Sequence, residues 1–118
     1  MRRTITINGK DYEMKANLGT GMYYRMLTGR DWLQDLTKIT RKEADFDINE
    51  AIIEMAYCMN IHATTDNYEE AEKKMNKKSF FYWKDEGDFD LGSFNREVSV
   101  QIINLWNSQR KNTIEGKN

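Results

Sequence analysis

Four groupings in this 118-residue chain hold side chains that chemistry would need. Cys58 and His62 stand four apart, which puts a thiol and an imidazole on one face of a helix. A metal site there needs two further ligands, and a nucleophile needs a shaped pocket with an oxyanion donor. Glu54 and Asp66 are near in sequence, but no spacing demands their participation. A core-edge cysteine and a helix-end histidine account for the pair without chemistry, because free cysteine behaves as a small hydrophobe. Paired acids at Asp45/Asp47 and in the run Asp85, Glu86, Asp88, Asp90 suit proton transfer or a hard cation. The longer run lacks the alternating ligands and distant glutamate of a calcium loop, so it reads as a solvated acidic turn. Gly19-Thr20-Gly21 precedes a helix as phosphate cradles do. It has neither the Walker lysine nor a third dinucleotide-type glycine, whose place Tyr24 takes. Close approach of a helix start to the preceding hairpin explains these glycines equally well. The last grouping is Phe80-Phe81-Tyr82-Trp83, four consecutive aromatics between Lys77-Lys78 and Lys84. On a helix they span more than one face, so some aromatic surface is left for a partner. These four are the candidate protein-binding residues; the competing reading divides them between core and covered surface.

Composition removes several classes. Eighteen Lys and Arg against nineteen Asp and Glu leave a net charge of −1, which gives no electrostatic footprint for nucleic acid. The lone Cys58 forms no internal disulfide and suits a reducing cytoplasm. The lone His62 excludes multi-histidine metal sites, and no cofactor motif is present. No apolar run approaches the ~20 residues of a membrane span, and Met1-Arg2-Arg3-Thr4-Ile5 lacks a signal-peptide core. The expectation is a non-enzymatic protein with no cofactor, metal, nucleic acid, membrane or small-molecule substrate.

The elements that must position these groups follow from patterning. Thr4-Ile5-Thr6-Ile7 alternates into Asn8-Gly9, the signature of a two-residue type I′ hairpin. That turn sets Ile7 opposite Lys10, Ile5 opposite Tyr12 and Arg3 opposite Met14, with Ile5, Ile7, Tyr12 and Met14 on one apolar face. A first helix starts after Asn17, with Leu18, Met22 and Met26 recurring at every fourth position, and stops at Gly29. Asp31 caps a second that turns Trp32, Leu33, Leu36 and Ile39 inward. Asp47 and Glu50 open a third, whose stripe is Ile48, Ala51, Ile52, Met55, Ala56 and Met59. The spacing places most of Met22, Met26, Met55 and Met59 in the core. Asp66 and Glu69 open a polar helix, Tyr68 to Met75. A last helix, ending near Gln109, presents Phe94, Val98, Ile102, Leu105 and Trp106. The prediction is α+β and mostly helical: a short N-terminal β-hairpin followed by about five helices. It forms one domain over residues 1–109, with the hairpin at 4–15 and a flexible 110–118 tail.

Three strings carry a resemblance: Ile7-Asn8-Gly9-Lys10-Asp11-Tyr12-Glu13-Met14-Lys15, Asn17-Leu18-Gly19, and Leu27-Thr28-Gly29-Arg30-Asp31-Trp32-Leu33. In order and spacing the chain resembles the tail assembly chaperones of long-tailed phages and prophages of Gram-positive bacteria. In that family a short hairpin introduces a helix ending in a Leu-Thr-Gly-Lys/Arg-Asp-like turn, before a helical body. The resemblance implies binding, not catalysis. Such chaperones coat the long, helical tape measure protein in the host bacterial cytoplasm, help recruit tail-tube subunits, and are absent from the mature virion. It also implies the tape measure and tail-tube proteins as partners, and self-association along the client. The alternatives are a structural phage part, such as a head–tail connector or tail terminator, and a small nucleic-acid-binding regulatory module.

Overall fold

Asn8 and Gly9 take φ of 55° and 77°, the left-handed pair that a type I′ turn requires. The register that this turn imposes is the one predicted: Ile7 pairs with Lys10, Ile5 with Tyr12 and Arg3 with Met14. The computed structural model describes residues 1–90 and 92–115, with side chains described as far as Gln109. Strand β1 (Arg2–Ile7) and strand β2 (Lys10–Lys15) form the two-stranded antiparallel sheet. Ile5, Ile7 and Met14 are wholly buried and Tyr12 nearly so. Each such side chain contributes about 1.5–3 kcal/mol by leaving water, so the hairpin is held by what lies beneath it.

That support is helical. The helices are α1 (Leu18–Thr28), α2 (Trp32–Arg41), α3 (Ile48–Thr64), α4 (Tyr68–Lys74), α5 (Lys77–Glu86) and α6 (Arg96–Glu115). The architecture is therefore α+β and mostly helical. The aromatic run forms a helix of its own, α5, and accounts for a sixth helix where about five were expected. Helix α6 continues past Gln109 to Glu115, and the expected 110–118 tail lies outside the residues whose side chains are described. Helix α3 is central: an unbroken run from Glu54 to Ile61 is buried, and it touches β2 and each of the other helices. A helix buried on all sides needs apolar residues all round, and Met55, Ala56, Tyr57, Cys58 and Met59 supply them.

Local sequence sets the helix ends. Asn17 accepts from Gly19 N–H at 2.8 Å while Thr20 Oγ accepts from Asn17 N–H at 3.0 Å, a reciprocal box. Gly29 ends α1 at φ 74°. Asp31 and Asp47 cap α2 and α3 as expected. Helix α4 is capped by Asn67, one residue later than the Asp66 expected, because Asn67 Oδ1 receives Glu70 N–H. Two patterning expectations reverse. Leu18, Met22 and Met26 lie on the solvent face of α1, at 63%, 57% and 37% exposure. The buried face is Thr20, Gly21, Tyr23, Tyr24 and Leu27. Leu33 also faces outward, while Leu36 and Ile39 go in. The reason is steric: Trp32 packs directly against Gly21, where an added Cβ would come within 2.4 Å of the indole. That contact fixes the roll of α1 and turns its every-fourth stripe away from the core.

Candidate functional site

The aromatic run is divided by the geometry of α5. Phe80 is buried against Tyr57, with ring centroids 5.2 Å apart. Trp83 is partly buried among Tyr12, Tyr57 and Phe89, at 5.9, 5.3 and 4.9 Å. Its indole N–H donates to Asn60 Oδ1 at 2.9 Å, and Asn60 Nδ2 donates to the Glu13 carbonyl at 3.0 Å. Trp83 thus ties α5 through α3 to the edge of β2. Phe81 and Tyr82 point outward, at 64% and 55% exposure. Of the four candidate binding residues, two hold the fold and two remain available to a partner.

A second exposed apolar surface lies on α1, where the every-fourth spacing predicts core. Leu18, Met22 and Met26 form one outward row, flanked on the wheel by Gly21 under Trp32 and by Tyr23 under Tyr68. Tyr68 is itself half-exposed and stacks on Tyr23 at 6.0 Å. Two thioethers in such a row make a polarisable surface of unbranched side chains that can repack. The signal was present in the sequence, but the same spacing describes a core stripe, and only the position of Trp32 separates them.

The conspicuous polar feature is structural. Arg30 Nε donates to Asp35 Oδ2 at 2.7 Å and its terminal nitrogen to Glu54 Oε1 at 2.6 Å. The Tyr24 hydroxyl donates to the same Asp35 oxygen at 2.5 Å, and Phe46 lies 5.8 Å from the guanidinium. Both carboxylates are almost wholly buried. Burial opposes the charge on Arg30, but its hydrogen bonds to Asp35 and Glu54 outweigh it and hold the guanidinium protonated. Burial pushes the Glu54 carboxyl up against the lowering effect of its Arg30 hydrogen bond, and its Oε2 makes no hydrogen bond, with Lys77 3.8 Å away. One residue of the Leu27–Leu33 string therefore joins the end of α1 to α2 and α3. A planar guanidinium that bridges two carboxylates, one bond to each, is what selects arginine over lysine.

The remaining chemical groupings dissolve into packing. Cys58 is fully buried with its Sγ 3.9 Å from the Met75 sulfur, and burial raises its thiol well above the ordinary range. His62 turns instead to Thr20, with Nδ1 2.7 Å from the hydroxyl, and to the Tyr23 ring at 5.0 Å. Its imidazole is pushed down to about 4 by burial, then by Lys15, Arg2 and the amino terminus. Gly21 serves close approach, but to Trp32 and not to the hairpin, while a Cβ at Gly19 would make only ordinary contact with His62 at 3.6 Å. Asp90 closes a turn on Gly92 and Ser93, and Asp47 caps α3. Among the described residues no three His, Cys, Asp or Glu side chains gather to hold a metal ion. No described helix is long and apolar enough to cross a membrane. The clefts described are open to solvent; one of about 530 Å³ lies between β1 and the start of α6.

Fold and surface together define a small α+β protein with an adaptable apolar row on one helix and a buried polar network holding its frame. The chain matches no protein-family model, no curated protein and no solved structure.

Proposed function

We propose that this chain is a non-catalytic binding protein that shields an apolar helical client, in the manner of a phage tail assembly chaperone. The client is then the tape measure protein, which the chaperone holds soluble in the host cytoplasm until tail-tube subunits displace it. The observation that carries this reading is the exposed row of Leu18, Met22 and Met26. An amphipathic client helix docks by laying its apolar stripe along such a surface. Methionine lets one surface accept many client segments, because its unbranched thioether repacks with little strain. The second outward pair, Phe81 and Tyr82, adds aromatic anchors of the kind that dominate interface energetics. Many such contacts along one long client give avidity without a deep pocket. The Ile7–Lys15 and Leu27–Leu33 strings support the family assignment by their order and spacing.

The test is co-expression with a candidate client, a long helical tape measure protein. The wild-type chain is expected to raise that client's soluble yield. The double variant Met22→Glu/Met26→Glu is expected to abolish the gain while leaving the thermal midpoint within a few degrees, because both side chains are exposed. Equal protection by that variant refutes the reading. Recovery of the chain in purified virions favours a structural tail or connector part instead.

A further inference from the structure

The free edge of the hairpin holds a second site. Ile7 and Lys10 flank the two-residue turn and exchange both ladder bonds. Alternation then leaves Arg2, Thr4 and Thr6 with N–H and C=O directed away from β2. The far end agrees with this phase, since Met1 and Ala16 exchange bonds of 2.9 Å in both directions. On β2 the corresponding outer edge is covered: the Glu13 carbonyl accepts from Asn60, and Trp83 stands behind it. On β1 it is open. Among the described residues, no backbone bond outside the hairpin reaches Thr4 or Thr6. Both are exposed, and the 530 Å³ cleft runs along them, walled by Ser93, Asn95, Gln101 and one carboxylate, Glu97.

An open edge is completed by another strand, and the charges on this one select which. The positive residues of the solvent face, Arg2 and Lys15, sit opposite each other at the open end of the hairpin, where like charges repel. The negative residues, Asp11 and Glu13, lie nearer the turn. Their carboxylates lean toward the β1 edge, bonded to Thr6 Oγ at 2.6 Å and Thr4 Oγ at 3.2 Å. We propose that β1 pairs with β1 of a second copy, antiparallel about a two-fold axis at Thr4, to form a continuous four-stranded sheet. Thr4 then faces the partner copy's Thr4, and Arg2 faces its Thr6, each pair exchanging two backbone bonds. The row places Arg2 about 10 Å, Cα to Cα, from the second copy's Asp11, within reach of an arginine side chain. Arg2 currently makes one long, exposed 3.4 Å bond to the Ala63 carbonyl, which a carboxylate readily replaces. The two-fold thus sets the positive end of each hairpin against the negative end of the other.

Sedimentation equilibrium on the whole chain, from micromolar to millimolar, tests this. The wild-type chain is expected to dimerise, more weakly as salt is raised. Thr4→Pro removes an outward N–H that the hairpin does not use and is tolerated at an edge. It is expected to leave a folded monomer by circular dichroism. Arg2→Glu is expected to weaken the dimer about tenfold or more, and Arg2→Glu/Asp11→Lys to restore it, because the swap rebuilds the cross-copy pair with both signs reversed. The swap decides the matter even if the proline variant does not fold. A wild-type monomer at millimolar concentration overturns the proposal. So does a dimer that survives in folded Thr4→Pro, or a swap no tighter than Arg2→Glu. Loss of the dimer in Met22→Glu/Met26→Glu with Thr4→Pro unaffected assigns association to α1 and also overturns it.

Discussion

Removing Arg30 exposes the energetics of the frame most directly. In Arg30→Ala, Asp35 and Glu54 stay in place, about 98–99% buried as side chains, but lose their common cation. Breaking a fully buried ion pair from one side costs about 3–5 kcal/mol, and the 38% exposure of Arg30 puts this network at the low end of that range. Protonation limits the loss. At neutral pH, neutralising a carboxyl of ordinary value 4.5 costs at most about 3.4 kcal/mol, at roughly 1.36 kcal/mol per pH unit. Glu54 is already pushed upward by burial, so it takes the proton first and for less. Tyr24 still donates to Asp35. The expected loss is about 3 kcal/mol near neutral pH, a large share of the ~5–15 kcal/mol available to a domain. Arg30→Lys keeps the charge but cannot bond both carboxylates in one plane, and is expected to recover about half. Urea denaturation followed by far-UV circular dichroism reads these losses as shifts in midpoint. The Arg30→Ala deficit is expected to shrink as pH falls toward about 5, because the unpaired, buried Glu54 carboxyl then binds a proton more readily than it does in the unfolded chain. A deficit below about 1 kcal/mol, or one indifferent to pH, refutes the network as the clamp between α1, α2 and α3.

Three further outcomes follow from particular contacts. Trp83→Ser is expected to cost about 3 kcal/mol, as a partly buried indole and the Asn60 bond are lost together. Phe81→Ser is expected to stay within about 0.5 kcal/mol, and equal midpoints for the two variants in chemical denaturation contradict the division of α5. For His62, folded near about 4 against an ordinary 6.5, the unfolded chain binds the proton first. Stability is therefore full above the ordinary value and is lost as pH falls toward about 4. His62→Gln should flatten that slope in thermal melts taken across the window, and an unchanged slope assigns it to other groups. Gly21→Ala, with its Cβ driven to 2.4 Å from the Trp32 ring, is expected to cost about 1–3 kcal/mol by overpacking. A thermal midpoint equal to wild type shows that the indole yields freely.

Local chemistry made much of this molecule readable from its residues alone. Asn8-Gly9 dictates a turn that only left-handed backbone can make, and the turn dictates the hairpin register. Gly29, Asp31 and Asp47 stop and start helices through interactions spanning three or four residues, so their effect is visible without the rest of the chain. The apolar stripes of α3 and α6 were legible because nearly every periodic position in them is filled by a buried apolar group. Tertiary structure decided what periodicity leaves degenerate. An every-fourth row of Leu18, Met22 and Met26 fits a core or a docking surface equally, and Trp32 resting on Gly21 sends it outward. Four consecutive aromatics show no face of their own until Tyr57 and Asn60 take Phe80 and Trp83 inside. Arg30 meets Glu54 across 24 residues, a pairing that exists only once α3 has passed beneath the end of α1. Short-range hydrogen bonding fixes local conformation, whereas the roll of a helix is fixed by volumes brought from elsewhere in the chain.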